Sequence, residues 1–273
     1  MNFKNPCLYV LCSDDKSNEV IQRCIDSIDY KIDTIVNMNS NDESHVERVK
    51  KISKDNNLHF VNTESQGNSF IGKVSCLRDF YKSDYDKMLI IDSDDEFYPG
   101  GINKILYDSN SDVTFGSCLP TMKNNLSNER TLFWFERMNK RVEVYTDKMD
   151  FMNKDQVKKI LTKYSHLTVK LLSCSKKCFE IYEKNKNKYT LEPVLINEFI
   201  LYSDMLDLDC KLIDLTQFQK YNYDSKGDSS GPSFYTPNNK EFKTYEELDL
   251  FLDKHLSPLK ILFENVNNDF NFF

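Results

Sequence analysis

Between Lys87 and Phe97 the chain reads Lys-Met-Leu-Ile-Ile-Asp-Ser-Asp-Asp-Glu-Phe, an apolar run that passes straight into four carboxylates among five residues. Asp92, Asp94, Asp95 and Glu96 repel one another at such spacing, and only a nearby cation relieves the cost. Hard divalent ions such as Mg²⁺ and Mn²⁺ prefer carboxylate oxygens and usually share them with substrate phosphates. The chemistry this favours is the handling of a diphosphate by a bound metal ion at the end of a strand. Met88 to Ile91 are four large apolar residues bounded by polar ones, as expected of a strand covered on both faces. Ligands of open α/β sheets gather at the carboxyl ends of such strands.

The elements around this run alternate. Leu8–Cys12 reads as a strand closed by Ser13-Asp14-Asp15, and Val20, Ile21, Cys24, Ile25 and Ile28 recur at helical spacing. Ile32–Val36 is a second strand, followed by the polar turn Asn37-Met38-Asn39-Ser40-Asn41-Asp42 and a charged helix over about 44–54. Leu58–Val61 is a third strand and 71–82 a third helix, which makes the acidic run the end of the fourth strand. This β-α-β-α-β-α-β order predicts a mostly parallel sheet flanked by helices, with right-handed crossovers that set the acidic end beside Asp14 and Asp15. A helix over 102–107 and a strand over 113–117 continue the pattern. Further on, the spacing predicts a strand over 167–173, helices over 176–184 and 195–206, and a strand over 210–215. A long polar loop follows over 222–240, then a helix over 246–252 and an Asn/Phe-rich tail that is a packing strand or frayed. The length of 273 residues fits one compact unit in two halves, 1–119 and 120–273.

Charge is segregated. Residues 120–190 carry sixteen Lys or Arg against eight Asp or Glu, a surplus of eight, so with a net charge of -7 the remainder stands at -15. Phe133, Trp134, Phe135, Tyr145, Phe151 and Tyr164 are interleaved with those basic residues. The overall acidity excludes a global basic field, so any polyanion contact belongs to this segment. Eight cysteines are scattered through apolar runs without a signal peptide ahead of them, which fits reduced thiols and a cytoplasmic setting. Cys174 and Cys178 lack a second Cys or His pair that would complete a zinc site. No apolar stretch reaches transmembrane length.

The order of strand-Ser13-Asp14-Asp15, strand-Asn37-Met38-Asn39-Ser40-Asn41-Asp42, Gly72-Lys73 with Arg78, and Ile91-Asp92-Ser93-Asp94-Asp95 resembles the GT-A nucleotide-sugar glycosyltransferases, the family-2-like group most nearly. It covers about residues 6–120 and resumes at Lys170-Leu171-Leu172 and Asn197-Glu198-Phe199. The resemblance implies a GT-A-like, Rossmann-like fold and an Asp-x-Asp motif in which Asp92 and Ser93 meet the donor, Asp92 its ribose or sugar. Asp94, with Asp92, would hold Mn²⁺ or Mg²⁺, and Asp95 and Glu96 would support them or cap a helix. Asp14, Asp15 and Asn37 fall where the family holds the nucleotide base, with Asn37 in place of an Asp. Arg78 falls near the donor, and the donor implied is a UDP-sugar. Glu198 falls where an inverting enzyme keeps its general base, with Asp204 in reserve; retaining members lack such a base. His255 reads as a surface or packing residue, and Tyr221, Tyr223, Asp224 and Lys226 could close over the donor.

The basic segment 120–190 falls where the resembled fold builds its acceptor side, and Trp134, Arg137, Lys140, Arg141, His166 and Lys170 are the candidates. Basic residues with interleaved aromatics suit a phosphate backbone and an extruded base, so a hydroxymethylated base in phage DNA fits, in a host cytoplasm. A glycan or lipid-linked acceptor is the alternative. A non-catalytic module that binds a nucleotide sugar or a divalent cation is the reading from another class. A sugar nucleotidyltransferase would be expected to show a Gly-rich phosphate loop near the first strand, which is absent.

Overall fold

In the computed structural model the described residues are 5–12, 16–63, 69–108, 110–117, 153–156, 159, 169–189, 195–214, 219–221 and 244–269. The first half alternates as the sequence predicts: β1 (Pro6–Cys12), α1 (Asn18–Asp26), β2 (Asp33–Met38), α2 (Glu43–Asp55), β3 (His59–Asn62), α3 (Ser69–Lys82) and β4 (Lys87–Asp92). Then come β5 (Asp95–Phe97), α4 (Gly101–Asp108), β6 (Val113–Ser117), β7 (Val169–Cys174), α5 (Lys177–Asn185), α6 (Leu195–Met205), β8 (Cys210–Asp214), β9 (Gln219–Tyr221) and α7 (Tyr245–Asp269).

Seven strands form one sheet in the order β3-β2-β1-β4-β7-β6-β8. The pairs β1–β2, β1–β4, β2–β3 and β6–β8 are parallel, and β7 runs antiparallel between β4 and β6. This is the mostly parallel sheet expected, flanked by helices on both faces. Strand alternation divides the core in two. Cys7, Tyr9 and Leu11 of β1 pack with Phe70, Val74 and Leu77 of α3, Ile200 and Tyr202 of α6 and the leucines of α7. Leu8, Val10 and Cys12 pack with Ile21 and Cys24 of α1, Val49 of α2 and Ile102 of α4.

Local chemistry sets the helix starts. Ser17 caps α1 by accepting from the Val20 N–H, and Asp42, the last residue of the polar turn after β2, caps α2 by accepting from the Ser44 and His45 N–H groups. Asn57 takes a left-handed conformation just past α2, the position that ends a helix with least strain for Gly or Asn.

Two features differ from expectation. α7 runs to Asp269, far beyond Leu252, and carries Pro258 inside it. Leu248, Leu252, Leu256 and Leu259 are all fully buried at helical spacing, so burial of that stripe outweighs the cost of an internal proline. The tail to Asp269 is therefore helix, not strand. β5 and β9 form a separate two-stranded antiparallel ribbon, Asp95 opposite Tyr221 and Phe97 opposite Gln219, too short to announce itself by alternation. Residues 222–240, read as a loop, lie outside the described residues, as does most of the basic segment.

Candidate functional site

β4 is the strand beside β1, and its end is tied there by the Ser93 N–H, which donates to the Leu11 carbonyl at 2.8 Å. Met88 and Ile90 face the α3 and α6 side, so alternation turns Asp92 to that side as well. Ser93 and Asp94 make the step into β5, whose first residue is Asp95. One carboxylate oxygen each from Asp92, Asp94 and Asp95 lies within 4.8 Å of the others. Asp95 is thus a full member of the cluster, whereas Glu96 points towards Arg23, 3.8 Å away.

Two lysines offset most of the charge of this cluster. Lys16, nearly buried just past β1, sets its Nζ 2.8 Å from Asp94 Oδ2. Lys170 of β7 sets its Nζ 2.7 Å from Asp92 Oδ2 and in close contact with Asp95 Oδ2. The consequences for the carboxyls diverge. Burial works to raise Asp92, but Lys170, Lys73 and Lys16 outweigh it and hold the group below the usual carboxylate range. Burial, opposed by Lys170 and reinforced by the charges of Asp94 and Asp92, pushes Asp95 up to about 7.

Behind Asp92 lies a second constellation. Lys73 of α3 and the Tyr202 hydroxyl both donate to Oε1 of Glu198, in short contacts. Glu198 and Tyr202 are four apart on α6 and so share a face. The Glu198 side chain is 4% exposed, and its second oxygen, Oε2, has no hydrogen-bond partner. Burial opposes protonation of Lys73, yet the charges of Glu198 and Asp92 carry it above its ordinary value. Burial and the same two carboxylates push the Tyr202 hydroxyl well up. On the same helix Gly72 packs against Asn39: a Cβ there would stand 3.1 Å from Asn39 Nδ2.

The structure distributes the sequence-derived candidates unevenly. Asp92, Asp94 and Lys170 come together, and Lys170 meets the acidic cluster itself. Glu198 faces Lys73, which also feels Asp92. Asn37 is fully buried near the end of β2, with neither amide atom hydrogen-bonded, and the buried Ser93 hydroxyl is likewise without a partner. Arg78 is exposed and stands five residues beyond Lys73, about 140° further around α3, so it is not brought to the cluster. Asp204 lies about 120° around α6 from Glu198 and is engaged by Lys188 at 2.9 Å and Tyr189 at 2.8 Å. Asp14, Asp15, Trp134, Arg137, Lys140, Arg141 and His166 lie outside the described residues. Cys174 and Cys178 are free, buried thiols with no metal-binding partners among the described residues.

Lys16, Lys73 and Tyr202 were missed in the sequence as site residues. The signal for Lys73 was present: it lies between the apolar positions Phe70 and Val74 and Leu77, on the buried face of α3. Tyr202 stands one turn after Glu198.

No family model matches the chain, and no curated protein matches it. Solved structures do resemble it. S. aureus TarS 1–349 in complex with UDP shares 12% identity over 79% of this chain and 59% of that one, with a TM-score of 0.43. A nucleotide-diphospho-sugar transferase from Desulfovibrio desulfuricans shares 10% identity over 77% and 79%, with a TM-score of 0.40. The chain spans only 33% of the TarS structure solved with UDP-GlcNAc. The inositol-1-phosphate CTP transferase of T. maritima aligns over 93% of this chain and 98% of its own, with 12% identity and a TM-score of 0.50. At that identity the likeness is one of fold: the chain has the Rossmann-like, mostly parallel architecture seen in that transferase.

Proposed function

We infer that the chain moves a sugar from a nucleotide-sugar donor to an acceptor hydroxyl, using a divalent cation held by Asp94 and Asp92. The observation that carries this reading is the juxtaposition at the carboxyl end of β4 of a three-carboxylate cluster with a buried carboxylate, Glu198, that keeps one oxygen unpartnered. The donor set suits the ion: three carboxylate oxygens within reach of one another are hard ligands of the type Mn²⁺ and Mg²⁺ take. When bound, such an ion supplies Lewis-acid stabilisation of the diphosphate that leaves the sugar.

The chain's own residues supply the rest. Asp92 orients the ribose or sugar of the donor, with Ser93, Asp14, Asp15 and Asn37 on the nucleotide. Lys73 and Tyr202 hold Oε1 of Glu198, which leaves Oε2 to take the proton of the attacking acceptor hydroxyl. General-base assistance of this kind contributes about 10²–10⁴-fold. The acceptor proposed is a hydroxymethylated base in DNA, supported by the surplus of eight positive charges and the aromatics in residues 120–190. The UDP-sugar is the donor proposed.

One observation favours a second reading. The near-complete alignment with a CTP transferase fits nucleotidyl transfer from a nucleoside triphosphate to a phosphorylated acceptor. One assay separates the two. The protein is incubated with Mn²⁺ and UDP-sugars, with and without hydroxymethylcytosine DNA, and in parallel with CTP and inositol 1-phosphate. Release of UDP that rises with the DNA supports the glycosyltransferase and its acceptor. Release of pyrophosphate from CTP favours the second reading, and release of neither contradicts both.

A further inference from the structure

The donor site proposed above already contains its own cations. We propose that Lys16 and Lys170 are displaceable counter-ions: they hold the carboxylates of Asp92, Asp94 and Asp95 before ligand arrives and transfer to the diphosphate when it enters with its divalent cation. Cation and diphosphate then bind as one unit. This rests on the reading of the cluster as a donor site.

Charge balance is the first argument. Three carboxylates and two ammonium groups leave the cluster no more negative than about -1. A divalent cation arriving alone turns that to a net positive charge and must enter beside two ammonium groups already paired with the same carboxylates. A diphosphate supplies the missing anions and gives both lysines a new partner. Lysine suits the exchange, because a compact charge on a flexible four-carbon stem can change partners without moving the backbone.

The geometry is the second argument. β4 and β7 pair only at Met88 and Leu89. From there the strands are unpaired, and Lys170 reaches Asp92 across the gap at the carboxyl end of β4. Asp92 and Lys170 keep 31% and 25% of their side chains exposed, so a ligand can reach that pair from solvent; Asp94 keeps 22%, with Lys16 behind it at 9%. On the closed side the Oε2 of Glu198 is buried and without a hydrogen-bond partner, while Oε1 of the same carboxylate meets Lys73. That unsatisfied acceptor indicates a site built to receive a hydrogen-bond donor beside the cluster. Lys73 is paired with Glu198, whose side chain is 4% exposed, so it stays in place when Lys16 and Lys170 turn to the diphosphate.

Isothermal titration of the full chain tests this with Mn²⁺ alone, inorganic pyrophosphate alone, and the two together. For the wild type, pyrophosphate should tighten Mn²⁺ binding by about tenfold or more, a coupling that must be reciprocal. Lys170→Met should bind Mn²⁺ alone more tightly than the wild type and lose most of the coupling, while Lys170→Arg should retain it. Lys16→Met should shift in the same direction as Lys170→Met and serves if the latter does not fold. The proposal is overturned if pyrophosphate leaves wild-type Mn²⁺ affinity unchanged, if neither ligand binds, or if both Met variants bind Mn²⁺ no more tightly than the wild type. Coupling without sugar transfer from any donor would sink the transferase reading and keep the counter-ion device. Sugar transfer with unaltered Mn²⁺ affinity in the variants would do the reverse.

Discussion

The two ends of β4 solve the same electrostatic problem in opposite ways. At its amino end Lys87 is 1% exposed and donates to the Ser111 carbonyl at 2.8 Å, inside a wall that includes the thiols of Cys174 and Cys178. Burial dominates there and draws the Lys87 pKa below its ordinary value. At its carboxyl end charges answer charges: Lys16 and Lys170 meet Asp92, Asp94 and Asp95 in a cluster that solvent still reaches. Lys73 belongs to this end, and here the carboxylates of Glu198 and Asp92 overcome burial and raise its pKa. A sealed charge with a backbone partner has a structural role. A cluster of paired charges that keeps Asp92 and Lys170 partly in solvent is where the proposed ligand can enter.

The sharpest way to break the comparison is at Glu198. Glu198→Gln keeps the shape of the side chain and removes its basicity, so sugar transfer should fall by about 10²–10⁴-fold, with UDP binding retained; a calorimetric titration of UDP beside the transfer assay reads both. Asp94→Ala should lose at least about a hundredfold in Mn²⁺-dependent turnover, since a Lewis acid supplies several kcal/mol to the leaving diphosphate. Donor hydrolysis that survives this change at the wild-type rate would sink the metal assignment.

The sealed end should respond in stability instead. Lys87 has a folded pKa below its unfolded value near 10.5, so the unfolded chain binds more protons in that window and stability from this group rises as pH climbs towards 10.5. Lys73 has the opposite sign: its contribution is complete below 10.5 and is lost as pH rises through its raised folded value. Denaturant unfolding of the wild type and Lys87→Met between pH 8 and about 10.5 should therefore show the advantage of removing Lys87 shrinking with pH. A difference independent of pH would contradict this account of Lys87. The smallest effects belong to Arg78 and Asp204. Arg78→Ala, on an exposed helix face, should change stability by no more than about 0.5 kcal/mol and leave turnover at the wild-type level. Asp204→Asn should cost about 1 kcal/mol through its hydrogen bonds to Lys188 and Tyr189, again without a large change in turnover.

Much of this was legible in the residues, for identifiable reasons. β1, β2 and β4 are buried on both faces, and such strands are continuous apolar runs that stand out from their polar borders. The acidic end of β4 followed from its position after the third helix. α7 was cut short at Leu252 because the residues beyond it hold a proline and polar side chains, and only the packed sheet shows what the stripe Leu248, Leu252, Leu256 and Leu259 is buried against. The site divides in the same way. Asp92 and Asp94 were visible in the motif, and Glu198 through the resemblance at Asn197-Glu198-Phe199. Lys16, Lys73 and Lys170 contact the carboxylates from three separate segments, and no local spacing encodes those meetings. Lys170 was expected on the acceptor side because it belongs to the basic segment, yet β7 sits next to β4 in the sheet and carries it to the cluster. Arg78 was given a donor role through the family resemblance and Lys73 only marked the Gly72-Lys73 pair, although the buried periodicity of α3 through Phe70, Val74 and Leu77 brackets Lys73.

The central claim is that the carboxyl end of β4 holds a nucleoside diphosphate through a divalent cation. Calorimetric titration of UDP in the presence of Mn²⁺, on the wild type and on Asp94→Ala with Arg78→Ala as control, addresses it most directly. The account predicts saturable binding of one UDP per chain by the wild type and by Arg78→Ala, and a loss of at least about tenfold in affinity for Asp94→Ala at unchanged folding stability. Equal binding by the wild type and Asp94→Ala would contradict it.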